Sequence, residues 1–170
     1  MATDTGASTF QASGTTLVVR PIVVTDVDRL FRLFGRLSPE TVHFRFFSPV
    51  QSPSRVALLR LATVDHHQRE ALVALAGDEI VAVARYDATS PTRAEVAIVV
   101  EDLWQRHGVG LHLSRQLATL ARSSGFEELT ASMLPDNRAV LSLAHKLAPT
   151  AKVHWAGGAY EVAVPLAAAH

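Results

Sequence analysis

The residues best placed for chemistry are two glycines between an apolar strand pattern and a helical pattern. Residues 93–100 predict a strand, and Gly108 and Gly110 follow it directly before apolar residues at helical spacing. Glycine leaves room for a ligand, and the N–H groups of a helix's first turn lack intrahelical partners at the positive end of the helix dipole. The junction therefore predicts a phosphate-binding site.

Two common nucleotide-binding loops do not fit this junction. A Walker loop needs Lys and then Ser or Thr after its last glycine, whereas Leu111 and His112 stand here, and a dinucleotide fingerprint needs three glycines. Residues 105–110 instead read Q-x-x-G-x-G, beginning at Gln105. This pattern resembles the acetyl-CoA pyrophosphate loop of the GNAT superfamily of N-acetyltransferases.

The order of predicted elements is similar to that superfamily over residues 17–165. We predict a strand at residues 16–22, two or three helices within 25–63, and a hairpin at 70–86 about Gly77-Asp78. A strand at 93–100, a helix at 109–125, a strand at 128–134, a helix at 137–147 and two short strands at 153–155 and 160–164 follow. The resemblance implies an α/β (α+β) GNAT fold. Its mixed central sheet would have about six to seven strands, splayed between the fourth and fifth, with helices on both faces.

Four segments resemble one branch, the GNAT domain of bacterial protein lysine acetyltransferases of the Pat type. They are residues 19–22 (VRPI), 37–40 (LSPE) with 45–47 (RFF), 82–86 (AVARY) and 94–100 (AEVAIVV). The resemblance implies acetyl-CoA as co-substrate, no metal, and a primary amine as acceptor, in this branch a protein lysine. We assign residues 15–166 to a single domain, 1–14 to a disordered tail and 167–170 to a C-terminal tail.

The resemblance also implies which residues bind the cofactor. Backbone N–H groups from Arg106 to Leu111 would bind the pyrophosphate, with the Gln105 side chain closing the loop. The pantetheine arm would pair with a strand that a bulge splays from its neighbour. Asn137 would contact the same arm or simply cap its helix. The complete set is Ile98, Val99, Val100, Gln105, Arg106, His107, Gly108, Val109, Gly110, Leu111 and Asn137.

Glu95 is the candidate general base. Strand alternation places it with Ala97 and Val99, so we expect a carboxylate among apolar neighbours whose pKa is raised by desolvation. The resemblance implies that Glu95 accepts the proton of the amine, and we expect a backbone N–H at Val99 or Val100 to stabilise the oxyanion. The alternative is an exposed cross-strand partner of an arginine. Many GNAT enzymes carry a tyrosine acid where Ala144 stands here.

Composition narrows the function classes. The 170 residues suit one domain, and 16 Lys plus Arg against 16 Asp plus Glu give no net field for nucleic acid or an anionic membrane. No cysteine occurs, which excludes disulfides and a thiol nucleophile. Apolar runs are too short to cross a bilayer, and the first residues lack the basic start and apolar centre of a signal peptide. We expect a cytoplasmic monomer or homodimer.

Other clusters carry weaker chemistry. Asp65-His66-His67 has no second ligand pair at metal spacing, and Ser114 and Ser142 lack a nucleophile turn. The aromatic residues around Arg45, at positions 44, 46 and 47, would line an acceptor groove or the underside of a short helix. Two other functions stay open: acetylation of a small amine such as a polyamine, and a non-catalytic CoA-binding sensor.

Overall fold

The structure is a computed structural model that describes residues 6–46 and 53–167. Its strands are β1 Ser8–Ala12, β2 Thr15–Pro21, β3 Arg69–Ala76, β4 Glu79–Ala88, β5 Arg93–Val100, β6 Glu128–Met133, β7 Lys152–Trp155 and β8 Tyr160–Pro165. They form one eight-stranded sheet in the order β1-β2-β3-β4-β5-β6-β8-β7. The helices are α1 Val27–Arg36, α2 Pro39–Phe46, α3 Arg55–Ala62, α4 Val109–Ser123 and α5 Arg138–Leu147. Phe47 of the predicted acceptor groove lies outside the described residues.

The N-terminal segment corrects one prediction. Residues 8–12, assigned above to a disordered tail, form β1, which pairs antiparallel with β2 from Ser8↔Val19 to Ala12↔Thr15. Ser13 and Gly14 connect the two strands with φ of 50° and 76°, the positive values that a tight primed hairpin turn requires. The sheet therefore has eight strands, whereas about six to seven were predicted.

The predicted splay of the sheet is confirmed. β5 and β6 are parallel neighbours, but they pair only from Arg93↔Glu128 to Glu95↔Thr130, after which the strands separate. Beyond that point β6 pairs with β8 alone, up to Met133↔Tyr160. The predicted bulge in β5 is wrong, because the β4–β5 register runs without a shift along all of β5. The strands diverge without an extra residue in β5.

Helices cover both faces of the sheet, as predicted. Apolar residues of α4 and α5 pack on one face against β2 to β6 and β8, with Tyr86, Leu113 and Leu117 fully buried. α1 and α3 pack on the other face, where Leu30, Leu33 and Leu58 are buried. Alternation along β4 and β5 supplies side chains to both layers. Among the described residues, no helix is long and apolar enough to span a membrane.

A buried carboxylate fixes the start of α1. Asp26 is completely buried and accepts two hydrogen bonds of 2.8 Å from the Arg20 guanidinium, and a third of 2.9 Å from the Val23 N–H. Burial alone would raise the pKa of Asp26, but these donors outweigh it and lower the pKa. The charged carboxylate thus links β2 to the first turn of α1.

Candidate active site

The turn between β5 and α4 places backbone N–H groups at an open helix end. α4 begins at Val109, and its first backbone bond runs from the His112 N–H to the Gly108 carbonyl at 3.0 Å. Arg106 and Gly108 have φ of 63° and 79°. Alternation of left-handed and ordinary residues turns successive N–H groups toward one side, as in anion-binding nests. No described side chain caps this helix end, so the geometry suits an anion.

The two glycines of this turn have different roles. Gly108 is required by its left-handed φ, and a Cβ there would also lie 3.5 Å from Cζ of Phe10. Gly110 has an ordinary helical φ, and a Cβ there would lie 3.7 Å from Cγ2 of Val100. Both contacts are ordinary van der Waals distances. Backbone conformation therefore explains Gly108, whereas the described structure would accommodate a Cβ at Gly110.

β1 reaches this turn, a contact that the sequence analysis did not predict. The Phe10 ring stacks on the His112 ring with centroids 4.3 Å apart, and Gln116 donates a hydrogen bond to the Ser8 hydroxyl. Burial, and then the charge of nearby Arg115, lower the pKa of His112. The N-terminal hairpin is thereby attached to the first turns of α4.

Gln105 lies against the end of β5. Its Nε2 donates hydrogen bonds to the Val100 carbonyl at 3.0 Å and to the Thr41 hydroxyl at 3.1 Å. The predicted role of Gln105 in closing the loop agrees with the first bond. The second bond, to α2, was not predicted. Arg106 and His107 are exposed beside it.

Backbone direction along β5 decides which predicted residues face the gap between β5 and β6. The Glu101 N–H donates to the Val81 carbonyl, and the Thr89 N–H donates to the Arg93 carbonyl. In an antiparallel pair, alternate residues direct both backbone groups to the same neighbour. Val99 therefore pairs with β4 and is withdrawn from the predicted cofactor set. Ile98 and Val100 direct their N–H and C=O groups toward the gap.

An apolar cavity of about 50 Å³ lies beside this gap, on the face covered by α4 and α5. Val96 and Ile98 of β5 and Ala144 of α5 contribute to its lining. Ala144 places only a methyl group where the resemblance expects a tyrosine acid, and His145 is exposed. Asn137 is buried and caps α5, since its Oδ1 accepts a hydrogen bond from the Val140 N–H at 3.4 Å.

Glu95 lies at the point where the sheet opens. Its pair with Thr130 is the last between β5 and β6, and Asp87 lies opposite it on β4. The expected burial is wrong, because Glu95 is exposed. α1 and α3 cover Val83 and Val99 farther along the strands and leave this position open.

A second cavity, of about 10 Å³, lies on the face opposite α4, and Arg45 and Arg85 are among the residues that line it. Arg85 is buried and donates to Asp87 and to the Leu61 carbonyl. Arg45 comes from α2. Burial and the Arg85 charge lower the pKa of Arg45, while Asp87 and Glu95 act in the opposite direction. Arg45 therefore lies within electrostatic reach of the candidate base.

The remaining clusters have structural partners. His66 Nδ1 lies 3.0 Å from both carboxylate oxygens of buried Glu70, and Asp65 accepts from the N–H groups of His67 and Arg69. The Ser114 hydroxyl donates to the Gly110 carbonyl at 2.6 Å. In the part of the chain that the structure describes, no group of three or more acidic or histidine side chains could hold a metal ion.

The fold and this turn agree with one family. Residues 37–148 match the family model described as acetyltransferase (GNAT) family. The chain belongs to this family. It is therefore an acetyl-CoA-dependent N-acetyltransferase by family membership.

Three similar proteins place the chain within the GNAT family. It is 32% identical over 135 residues to acetyltransferase PA5475 of Pseudomonas aeruginosa, covering 76% of this chain and 73% of that protein. It is 32% identical over 139 residues to acetyltransferase Pat of Mycolicibacterium smegmatis, covering 79% of this chain but 41% of that protein. The GNAT domain of S. lividans PAT superposes with a TM-score of 0.86 at 30% identity, covering 94% and 97% of the two chains.

Proposed function

We propose that this chain transfers the acetyl group of acetyl-CoA to a protein lysine ε-amine, with Glu95 as general base. The observation that carries the proposal is the opening of the sheet at Glu95↔Thr130 together with the open N-terminus of α4. Along the opening, the backbone of β5 offers N–H and C=O groups to a thioester arm. Glu95 supplies a carboxylate at the vertex of the gap, where β5 and β6 begin to separate. The lysine acceptor is what the resemblance to Pat-type acetyltransferases implies, and similarity to the GNAT domain of S. lividans PAT supports membership of that branch.

The cofactor would bind from the loop toward the vertex of the gap. The N–H groups from Arg106 to Leu111 would contact the diphosphate, since several amides and the helix dipole stabilise one anion together. The pantetheine arm would pair with the backbone of Ile98 and Val100 in the manner of an added strand. The acetyl group would then lie near the vertex, beside the apolar cavity on the α4 and α5 face.

The amine would approach from the face of α1 to α3, where Glu95 lies. Glu95 accepts a proton from the incoming ammonium, and the neutral amine attacks the thioester carbonyl. A C–N bond forms, the C–S bond breaks, and CoA leaves as a thiolate that takes up the second proton released by the nitrogen. The N–H of Ile98 stabilises the oxyanion, because it faces the gap and lies nearer the vertex than the N–H of Val100. The thiolate needs little help from an acid, since a thiol pKa is about 8.5.

Acetylation of a lysate tests this proposal. The chain is incubated with acetyl-CoA and bacterial lysate proteins, separately from the small-amine fraction, and products are identified by mass spectrometry. New acetyl-lysines that disappear with Glu95→Gln support the proposal. Acetylated small amines without acetylated protein would transfer the assignment to a small-molecule acceptor. Binding of acetyl-CoA without any product would identify a non-catalytic sensor.

A further inference from the structure

A polar network joins α2 to the turn that follows β5. We call Ser38, Thr41, Asp102, Gln105 and the Val100 carbonyl the Thr41 network. Gln105 Nε2 bridges the Val100 carbonyl and the Thr41 hydroxyl, and that hydroxyl donates to both Asp102 oxygens, at 3.1 and 3.2 Å. Asp102 also accepts from the Ser38 N–H at 3.0 Å. The network spans more than sixty residues of sequence.

The polar hydrogens of the Gln105 amide and of the Thr41 hydroxyl all have acceptors within this network. The amide nitrogen of Gln105 has two hydrogens and two acceptors. The Thr41 hydroxyl donates to Asp102 and accepts from Gln105 and from the Ser38 hydroxyl, which lies 3.1 Å away. Burial would raise the pKa of Asp102, but hydrogen bonds from Ser38 and Thr41 lower it. A charged acceptor strengthens such bonds.

The two ends of the network belong to different parts of the proposed site. One end is the Val100 carbonyl, which faces the gap proposed for the thioester arm. The other end is the first turn of α2. The last turn of α2 carries Arg45, which lines the small cavity on the face opposite α4 together with Ala97 of β5. A ligand N–H that reaches the Val100 carbonyl would meet Gln105 at the same acceptor. The ligand would therefore share the Val100 carbonyl with Nε2 of Gln105, the atom that also donates to Thr41.

We propose that Thr41 and Asp102 are positioning residues that couple occupancy of the cofactor loop to the placement of α2. This inference rests on the proposed function. When the arm binds at the gap, Gln105 is held between the ligand and Thr41, and the position of α2, which carries Arg45, is fixed. Cofactor binding thereby prepares the acceptor side of the site. Neither residue touches the reacting atoms.

Hydrogen–deuterium exchange of α2, with and without saturating CoA, tests the coupling. Thr41→Val keeps the shape of the side chain and removes the hydroxyl, whereas Thr41→Ser keeps the hydroxyl. Calorimetry first establishes that each protein binds CoA. We expect CoA to slow exchange in residues 39–46 about fivefold or more in the wild type and in Thr41→Ser, but less than about twofold in Thr41→Val.

The outcomes separate coupling from a merely structural contact. General stabilisation by CoA affects all CoA-binding variants alike, so only the CoA-dependent change in α2 reports the network. Equal protection of α2 in wild type and Thr41→Val would overturn the inference. So would an α2 in the wild type that does not respond to CoA. A wild type that binds no CoA would instead refute the proposed function itself.

Discussion

Gln105 lies midway along the turn that joins β5 to α4, and its Nε2 donates a 3.0 Å hydrogen bond to the carbonyl of Val100, the last residue of β5. This bond fixes the turn against the strand. It also places the open helix end beside the backbone of Ile98 and Val100, which faces the gap between β5 and β6. The region where this turn meets the end of β5 thus offers N–H groups for a diphosphate and a strand edge for an acyl arm.

Glu95→Gln separates chemistry from cofactor binding. Glutamine keeps the size of the side chain but cannot accept the ammonium proton, so we expect lysine acetylation to fall by about 10²-fold or more. CoA affinity measured by calorimetry should change less than about twofold. The exposed Glu127 supplies the matched control, Glu127→Gln, which should retain full activity. A Glu95→Gln protein as active as the wild type would remove the general base from the account.

Gly108→Ala tests the left-handed conformation of the loop. An alanine at φ of 79° costs about 1–2 kcal/mol, and relief of that strain moves the N–H groups at the start of α4. We expect CoA affinity to fall about tenfold or more. Gly77, with φ of 60° in the β3–β4 turn, is the matched control. Gly77→Ala should lose comparable stability in denaturant unfolding and retain CoA affinity; equal affinities for all three proteins would contradict the loop assignment.

Much of this site follows from local sequence patterns, and the failures have physical causes. The bounds predicted for β5 are those observed, since apolar alternation and the following glycines define both ends. β1 was missed because a Thr- and Ser-rich segment with one large apolar residue resembles a tail. Its signal was Phe10 and Ala12 in alternation before Ser13-Gly14. The exposure of Glu95 depends on how far α1 and α3 extend over the sheet, which no strand pattern encodes.

Asp26→Ala should destabilise the fold by about 2–3 kcal/mol, because three charge-assisted hydrogen bonds are lost around a buried position. Urea unfolding provides the measurement. Asp28 is the matched control, since it pairs with Arg55 at the surface. Asp28→Ala should have no measurable effect on the free energy of unfolding. Equal losses in the two variants would show that burial of Asp26 contributes nothing special.

His112 should make stability depend on pH. Burial holds its pKa below the usual 6.5 in the folded protein, whereas the unfolded chain titrates at the usual value. Between these two pKa values the unfolded state binds more protons, so the free energy of unfolding decreases as pH falls below about 6.5. His112→Phe keeps an aromatic ring against Phe10 and removes this proton. Unfolding curves at pH 7 and pH 5 should show a smaller loss for the variant; an unchanged loss would contradict the assignment.

The most direct measurement is a titration of ¹⁵N-labelled protein with CoA, followed through backbone amide resonances. If the start of α4 binds the diphosphate, the amides of Gly108, Val109, Gly110 and Leu111 shift to saturation along one binding curve, and Ile98 and Val100 shift with them. Pantetheine, which lacks the diphosphate, should leave the α4 amides in place. Saturable CoA binding that leaves those four amides unmoved would contradict the account at its centre.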